Sequence, residues 1–204
     1  MATMHYLFFG ILSVAILVLS RFGNTAVADK KRSGSYAELR STSSDLERDN
    51  DPSVKRYSSS GVRARIVDFA VKEIGVREAT GNNDGSRVEE YLAYVGLGKG
   101  YAWCAAFASW CYGKAGLAAP RNPWSPALFP VARRYTAQQI GQGSVRQADL
   151  FAIYSSSLQR INHVGMIRQK QGNWILTVEG NVGDQVLSKR RPASTIHAFS
   201  NWLD

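Results

Sequence analysis

Apolar and polar positions repeat with two different periods along this chain, and the change falls near Gln147. Before it, Val62, Ile66, Phe69, Ala70 and Ile74 recur at the three- and four-residue spacing of a helix face, and Gly75 suits its end. Ser86-Arg-Val-Glu89 reads as a capping box that opens a second helix through Val88, Tyr91, Leu92 and Val95, closed by Gly96. An Ala-rich third helix is predicted from Trp103 or Cys104 to about Ala115, with Gly116 as its stop. Asn122-Pro-Trp-Ser-Pro126 reads as a loop, and Ala127 to Tyr135 as a further helical turn. After Gln147 the runs shorten. Asp149–Tyr154, His163–Arg168, Trp174–Val178, Gln185–Arg190 and Ile196–Phe199 read as strands, separated by Gly, Asn and Ser. Helices first and strands second predict an α+β domain, its antiparallel sheet packed against the helix that carries Cys104.

Residues 61–204 form that domain. The sequence ahead of it divides in two. Tyr6 to Leu19 is an apolar run of fourteen residues, short of the ~20 that span a bilayer. Small residues come next and end in Ala26-Val-Ala28, the pattern of an export-signal cleavage site. Residues 1–28 therefore read as an export signal or as an uncleaved N-terminal anchor. Either reading places the rest outside the cytoplasm, periplasmic or secreted, with any membrane contact made through residues 6–19. Residues 29–60 are rich in Ser, Lys, Arg, Asp and Glu; they bury too little apolar surface to offset their ordering entropy and read as a flexible linker.

Composition changes the picture in one respect. A net charge of +9 favours anionic partners, whether nucleic acid, an acidic membrane face or an anionic wall polymer. No CxxC pair, Cys/His cluster or Lys/Arg-rich run supports a zinc site or a dedicated nucleic-acid surface.

The candidate chemistry lies in the two cysteines and in a histidine, a glutamate and an asparagine further along the chain. Cys104 and Cys111, the only two cysteines, are seven residues apart. On one helix that puts their Cα atoms ~10 Å apart, beyond the ~7 Å reach of a disulfide. Two unpairable thiols in an exported chain suggest that one is kept for reactivity. Cys104 falls in the first helical turn, where unpaired N–H groups favour a thiolate and can hold an oxyanion. Cys111, among Phe107, Ala108 and Ala115, reads as a small core residue. His163 opens an apolar run, Glu179 ends the next, and Asn181 stands two residues on. A thiol, a base and a polar group to orient the base are what thiol-based acyl transfer requires. His5 lies in the export segment, and His197 reads as a surface or satisfied histidine.

At these residues the chain resembles the CHAP family, cysteine- and histidine-dependent amidohydrolases and peptidases of papain-like fold that cut peptidoglycan. The matching features are Trp103-Cys104-Ala with Phe107 and Trp110, Asn162-His163-Val-Gly165, and Val178-Glu179-Gly-Asn181; Arg190-Arg191, Phe199 and Trp202 also fit. The resemblance implies Cys104 as nucleophile, His163 as general base, Glu179 as the group that orients the imidazole and Asn181 as a fourth polar group. Tyr101, Trp103 and Trp124 are the candidates to contact substrate. Some members bind calcium through an acidic loop before the cysteine; here Gly96-Leu-Gly-Lys-Gly-Tyr101 has no carboxylate, so no metal and no cofactor is expected. Peptidoglycan is the expected partner and a monomer the expected state. The bond could be the N-acetylmuramoyl–L-alanine amide or a stem or cross-bridge peptide bond. Two other readings stay open: a non-catalytic wall-binding module of the same fold, and an exported antibacterial toxin that degrades walls.

Overall fold

The computed structural model describes residues 59–204. The expected export segment, His5 and all of the expected linker except Ser59 and Ser60 lie outside the described residues. Helix α1 spans Ser59–Lys72, two residues ahead of the expected domain start, α2 spans Ser86–Tyr94 and α3 spans Cys104–Lys114. Three strands then pair as consecutive antiparallel neighbours: β1 (Leu150–Ser155), β2 (Arg160–Gln171) and β3 (Trp174–Glu179). With β4 (Leu187–Pro192) and β5 (Ala198–Ser200) they form a five-stranded antiparallel sheet ordered β4-β3-β2-β1-β5. The domain is thus α+β, with the cysteine at a helix N-terminus and the helices packed against the sheet, as the sequence predicts.

Strand alternation divides the core. Leu150, Ala152, Val164, Met166 and Val178 join Ile66, Val88, Tyr91, Phe107 and Cys111 in the helix-side core. Phe151, Ile167, Ile175 and Phe199 form a second cluster. The period of two also places His163 and Gly165 of β2 on one face with Thr177 and Glu179 of β3, since Ile167 pairs with Thr177. Helix α1 is tied to the sheet by a buried ion pair: Arg63 Nη1 donates to Asp149 Oδ1 at 2.7 Å.

Two local expectations need correction. Gly85, not Ser86, is the N-cap of α2 and offers no side chain; Glu89 Oε1 still accepts from the Gly85 N–H at 3.2 Å, so only half of the box exists. The stretch from Ala127 to Tyr135 is not one helical turn. Pro126 sits in the first turn of one 3₁₀ helix, Ser125–Leu128, and Pro130 separates it from a second, Val131–Arg133. A complete capping box, Thr136 with Gln139, instead opens the short helix α4 (Ala137–Gly141), which no apolar period announces.

Two glycines let the elements meet closely. A Cβ on Gly165 would lie 2.6 Å from Phe151 ring carbons and 2.7 Å from Glu179 Cγ. A Cβ on Gly180 would lie 2.7 Å from the Trp103 ring, pushing β3 away from the start of α3. Gly165→Ala is therefore expected to destabilise the domain by about 1–3 kcal/mol through overpacking. Thermal unfolding would show it as a lowered midpoint. An unchanged midpoint would mean that Phe151 and Glu179 can move aside without penalty.

Candidate active site

Helix α3 is buried almost all round, from Cys104 to Tyr112, as its Ala-rich, apolar sequence dictates. Its N-terminal end opens to a groove, and Cys104 stands there, 6% exposed. Trp103 is the N-cap, so Cys104 is the first helical residue. The helix start leaves the N–H groups of this first turn without intrahelical acceptors.

The Cys104 sulfur has three polar neighbours. Ser125 Oγ lies 3.3 Å away, and the His163 ring and the main chain of Val164 are near enough to favour the thiolate. His163 Nε2 is 2.8 Å from Glu179 Oε2. With Nε2 engaged there, Nδ1 is the ring nitrogen left to face the thiol. Glu179 is fully buried and saturated with donors. Thr177 Oγ1 donates to Oε1 at 2.6 Å, Arg191 Nε donates to Oε1 at 2.7 Å, and Arg191 Nη2 donates to Oε2 at 2.6 Å.

These contacts set the protonation states. Burial works against the Cys104 thiolate, but the hydrogen bond and charge of His163 outweigh it, and the thiol sits below its ordinary value. Burial likewise works against a charged His163, yet its bonds to Cys104 and Glu179 push it up to about 9. Glu179, opposed by burial, is held at about 2 by Arg191, His163 and Thr177. These directions favour a thiolate–imidazolium pair backed by a carboxylate. Cys111 is different: it is free like Cys104, but fully buried, and burial pushes its thiol well up.

The structure thus brings Cys104, His163 and Glu179 together, His163 bonded to Glu179 and near enough to Cys104 to lower its thiol. It treats the other sequence candidates differently. Asn181 lines the groove beside His163, but its Nδ2 donates to Asn83 Oδ1 at 3.1 Å rather than to the imidazole. Tyr101 and Trp124 are 57% and 56% exposed and line the groove beside Cys104. Trp103 cannot contact substrate: it is fully buried against Tyr91 and Phe107, with Nε1 donating to Glu78 Oε1 at 2.7 Å. As the helix cap its side chain turns into the core, which adjacency to Cys104 does not reveal. His197 is exposed and stacks on Tyr154, with ring centroids 4.8 Å apart.

Three residues at the site escape sequence reading as participants. Ser125 lies between prolines in a loop, and only the fold brings it to the sulfur. Thr177, two residues before Glu179, shares its face, a signal that strand period could have given. Arg191 becomes the partner of Glu179 through the β3–β4 register, which pairs Ile175 with Arg191 and Thr177 with Lys189.

Residues 96–181 match the family model of the CHAP domain. The fold is similar to that of RipB, a peptidoglycan hydrolase from Mycobacterium tuberculosis, at a TM-score of 0.48 and 12% identity over 74% of this chain and 70% of that one. It is also similar to a lipoprotein-like NLP/P60 family protein from Staphylococcus aureus (TM-score 0.43, 15% identity, 76% of this chain and 45% of that one). A third likeness is to an NlpC/P60 family protein from Bacillus cereus (TM-score 0.44, 11% identity, 72% of this chain and 43% of that one). The chain spans less than half the length of the last two. No curated protein matches the sequence.

Proposed function

From a chain whose residues 96–181 match the CHAP domain, we propose an exported peptidoglycan hydrolase that cleaves an amide bond by a cysteine–histidine–glutamate mechanism. The observation that carries the reading is the convergence of Cys104, His163 and the buried Glu179: His163 Nε2 lies 2.8 Å from Glu179 Oε2, and the imidazole is near enough to lower the Cys104 thiol. Export rests on the apolar run and the Ala26-Val-Ala28 pattern.

In this reading the Cys104 thiolate attacks the scissile carbonyl carbon, and N–H groups of the first turn of α3 hold the oxyanion. His163, already protonated by the thiol, gives that proton to the leaving amine as the carbon–nitrogen bond breaks. A thioester remains. Water adds to it with His163 as base, and the carbon–sulfur bond breaks to release a carboxylate and the thiol. Glu179 keeps Nε2 protonated and Nδ1 aimed at the sulfur. Asn181 and the exposed rings of Tyr101 and Trp124 border the substrate path. No metal or cofactor enters these steps.

The test is digestion of purified peptidoglycan by the wild-type chain and by Cys104→Ala, with fragments identified by mass spectrometry. Cysteine-dependent free stem peptides establish an amidase, and cysteine-dependent shortened stems an endopeptidase. Absence of any cysteine-dependent product from walls of several chemotypes would overturn the reading and favour the wall-binding module.

The pH profile is set by the pair. Acylation needs the thiolate and the imidazolium together, so kcat/KM should rise as the Cys104 thiol ionises, at a pH below the ordinary thiol range. It should fall as the pair loses its second proton near pH 9. Hydrolysis of a soluble muropeptide between pH 4 and 10 would show a bell. A rate still climbing above pH 9 would contradict the preformed ion pair.

A further inference from the structure

The Cys104–His163 pair stands between two grooves of different electrostatic character. A groove of about 290 Å³ runs from Cys104 past Tyr101, Trp124, Arg160 and Asn162. A second, of about 310 Å³, runs from His163 past Asn162, Asn181 and Arg191. Asn162 borders both. Neither groove is lined by an Asp or Glu among the described residues. Each has one arginine, and the two are in different states. Arg191 is committed to Glu179 through two short hydrogen bonds, so its charge is neutralised within the protein. Arg160 has no ion pair or side-chain hydrogen bond among the described residues, and it is exposed. It is the first residue of β2 and pairs with Ser155 across the β1–β2 hairpin, so the sheet fixes where its side chain starts.

An uncommitted guanidinium beside two exposed aromatic rings, on a groove with no acidic group of its own, is suited to a carboxylate on an otherwise amphipathic ligand. Resting on the hydrolase reading, we infer that Arg160 is a specificity-determining residue. It selects amide substrates that carry a free carboxylate on the Tyr101–Trp124 side of the scissile bond. The same substrates with that carboxylate converted to a primary amide keep the peptide shape but lose the charge that Arg160 would meet.

The test uses the full chain and soluble disaccharide-peptide fragments of peptidoglycan, prepared with stem carboxylates either free or amidated. Wild type is expected to favour the free-carboxylate fragment by about tenfold or more in kcat/KM, the scale of one charge-assisted hydrogen bond. Arg160→Gln should bring that ratio to within about twofold of unity, and Arg160→Lys should restore part of it. Cysteine-dependent turnover with no preference in wild type would overturn the inference and leave the hydrolase reading standing. So would a preference that survives in Arg160→Gln. If neither fragment is turned over, the hydrolase reading fails, and calorimetric binding to Cys104→Ala decides the inference. Tighter binding of the free-carboxylate fragment that Cys104→Ala/Arg160→Gln loses supports it; equal binding, or none, overturns it.

Discussion

Cys104→Ala is expected to lower cysteine-dependent release of wall fragments by at least about 10⁴-fold while leaving the domain folded, because removing a nucleophile removes the whole covalent route. The structure explains why the two effects separate. Cys104 sits at the open end of α3, at the edge of the helix-side core, and its sulfur has Ser125 Oγ 3.3 Å away and borders a groove, so an alanine there leaves the deeper packing in place. Its loss should change unfolding free energy by no more than about 1–2 kcal/mol. Cys111→Ala is the internal contrast. That thiol is fully buried in the helix-side core and pushed well above its ordinary value by burial, so its removal should cost stability and spare turnover. Iodoacetamide at neutral pH should label Cys104 first, since only its thiol is lowered. A Cys104→Ala chain that still cuts the wall would sink the assignment. Equal labelling of both cysteines would remove its electrostatic basis.

How much of the molecule is legible in the sequence depends on how local each signal is. Helices α1, α2 and α3 could be read because Val62–Ile74, Val88–Val95 and the Ala-rich run each state their face within a dozen residues. The β1, β2 and β3 strands and their antiparallel order are announced by consecutive short apolar runs. Position in the sheet is less accessible: β5 pairs with β1, not with its sequence neighbour β4, and no local pattern states that. The site divides in the same way. Cys104, His163 and Glu179 could be chosen because their side chains have chemistry that a structural position seldom needs. Ser125 and Arg191 are ordinary residues whose importance comes from register and loop placement. Trp103 shows the reverse error, a residue chosen by its neighbour in sequence whose side chain is turned into the core by the helix cap. Glu179 also changes weight. As a mere orienting group it would be partly replaceable, so Glu179→Gln should cost much less than loss of the cysteine. Fully buried and paired with Arg191, it holds the sheet together as well, and a glutamine there also strips Arg191 of its counter-charge.

That pairing makes Arg191→Ala the substitution with the largest expected effect on stability. The Glu179 carboxylate is inaccessible to water, and Arg191 supplies two of its hydrogen bonds, at 2.7 and 2.6 Å. Removing the arginine leaves the carboxylate buried, with His163 as its one cationic partner. Breaking a buried pair in this way costs about 3–5 kcal/mol. Direction with pH separates this cause from simple loss of packing over the Phe151 ring, which Arg191 also covers. In the folded wild type Glu179 is held at about 2, below its ordinary 4.5. A depressed carboxylate contributes stability that is present above pH 4.5 and lost as pH falls from there towards 2. Without Arg191 the carboxylate rises towards its ordinary range and that contribution shrinks. The deficit of Arg191→Ala should therefore be full from pH 7 down to about 4.5 and narrow as urea unfolding is repeated from there towards pH 2. Arg191→Lys should fall between, because an ammonium restores the charge but not the two-pronged geometry. A deficit below about 1 kcal/mol at pH 7, or one that stays constant from pH 4.5 down to pH 2, would mean that the pair contributes packing rather than charge.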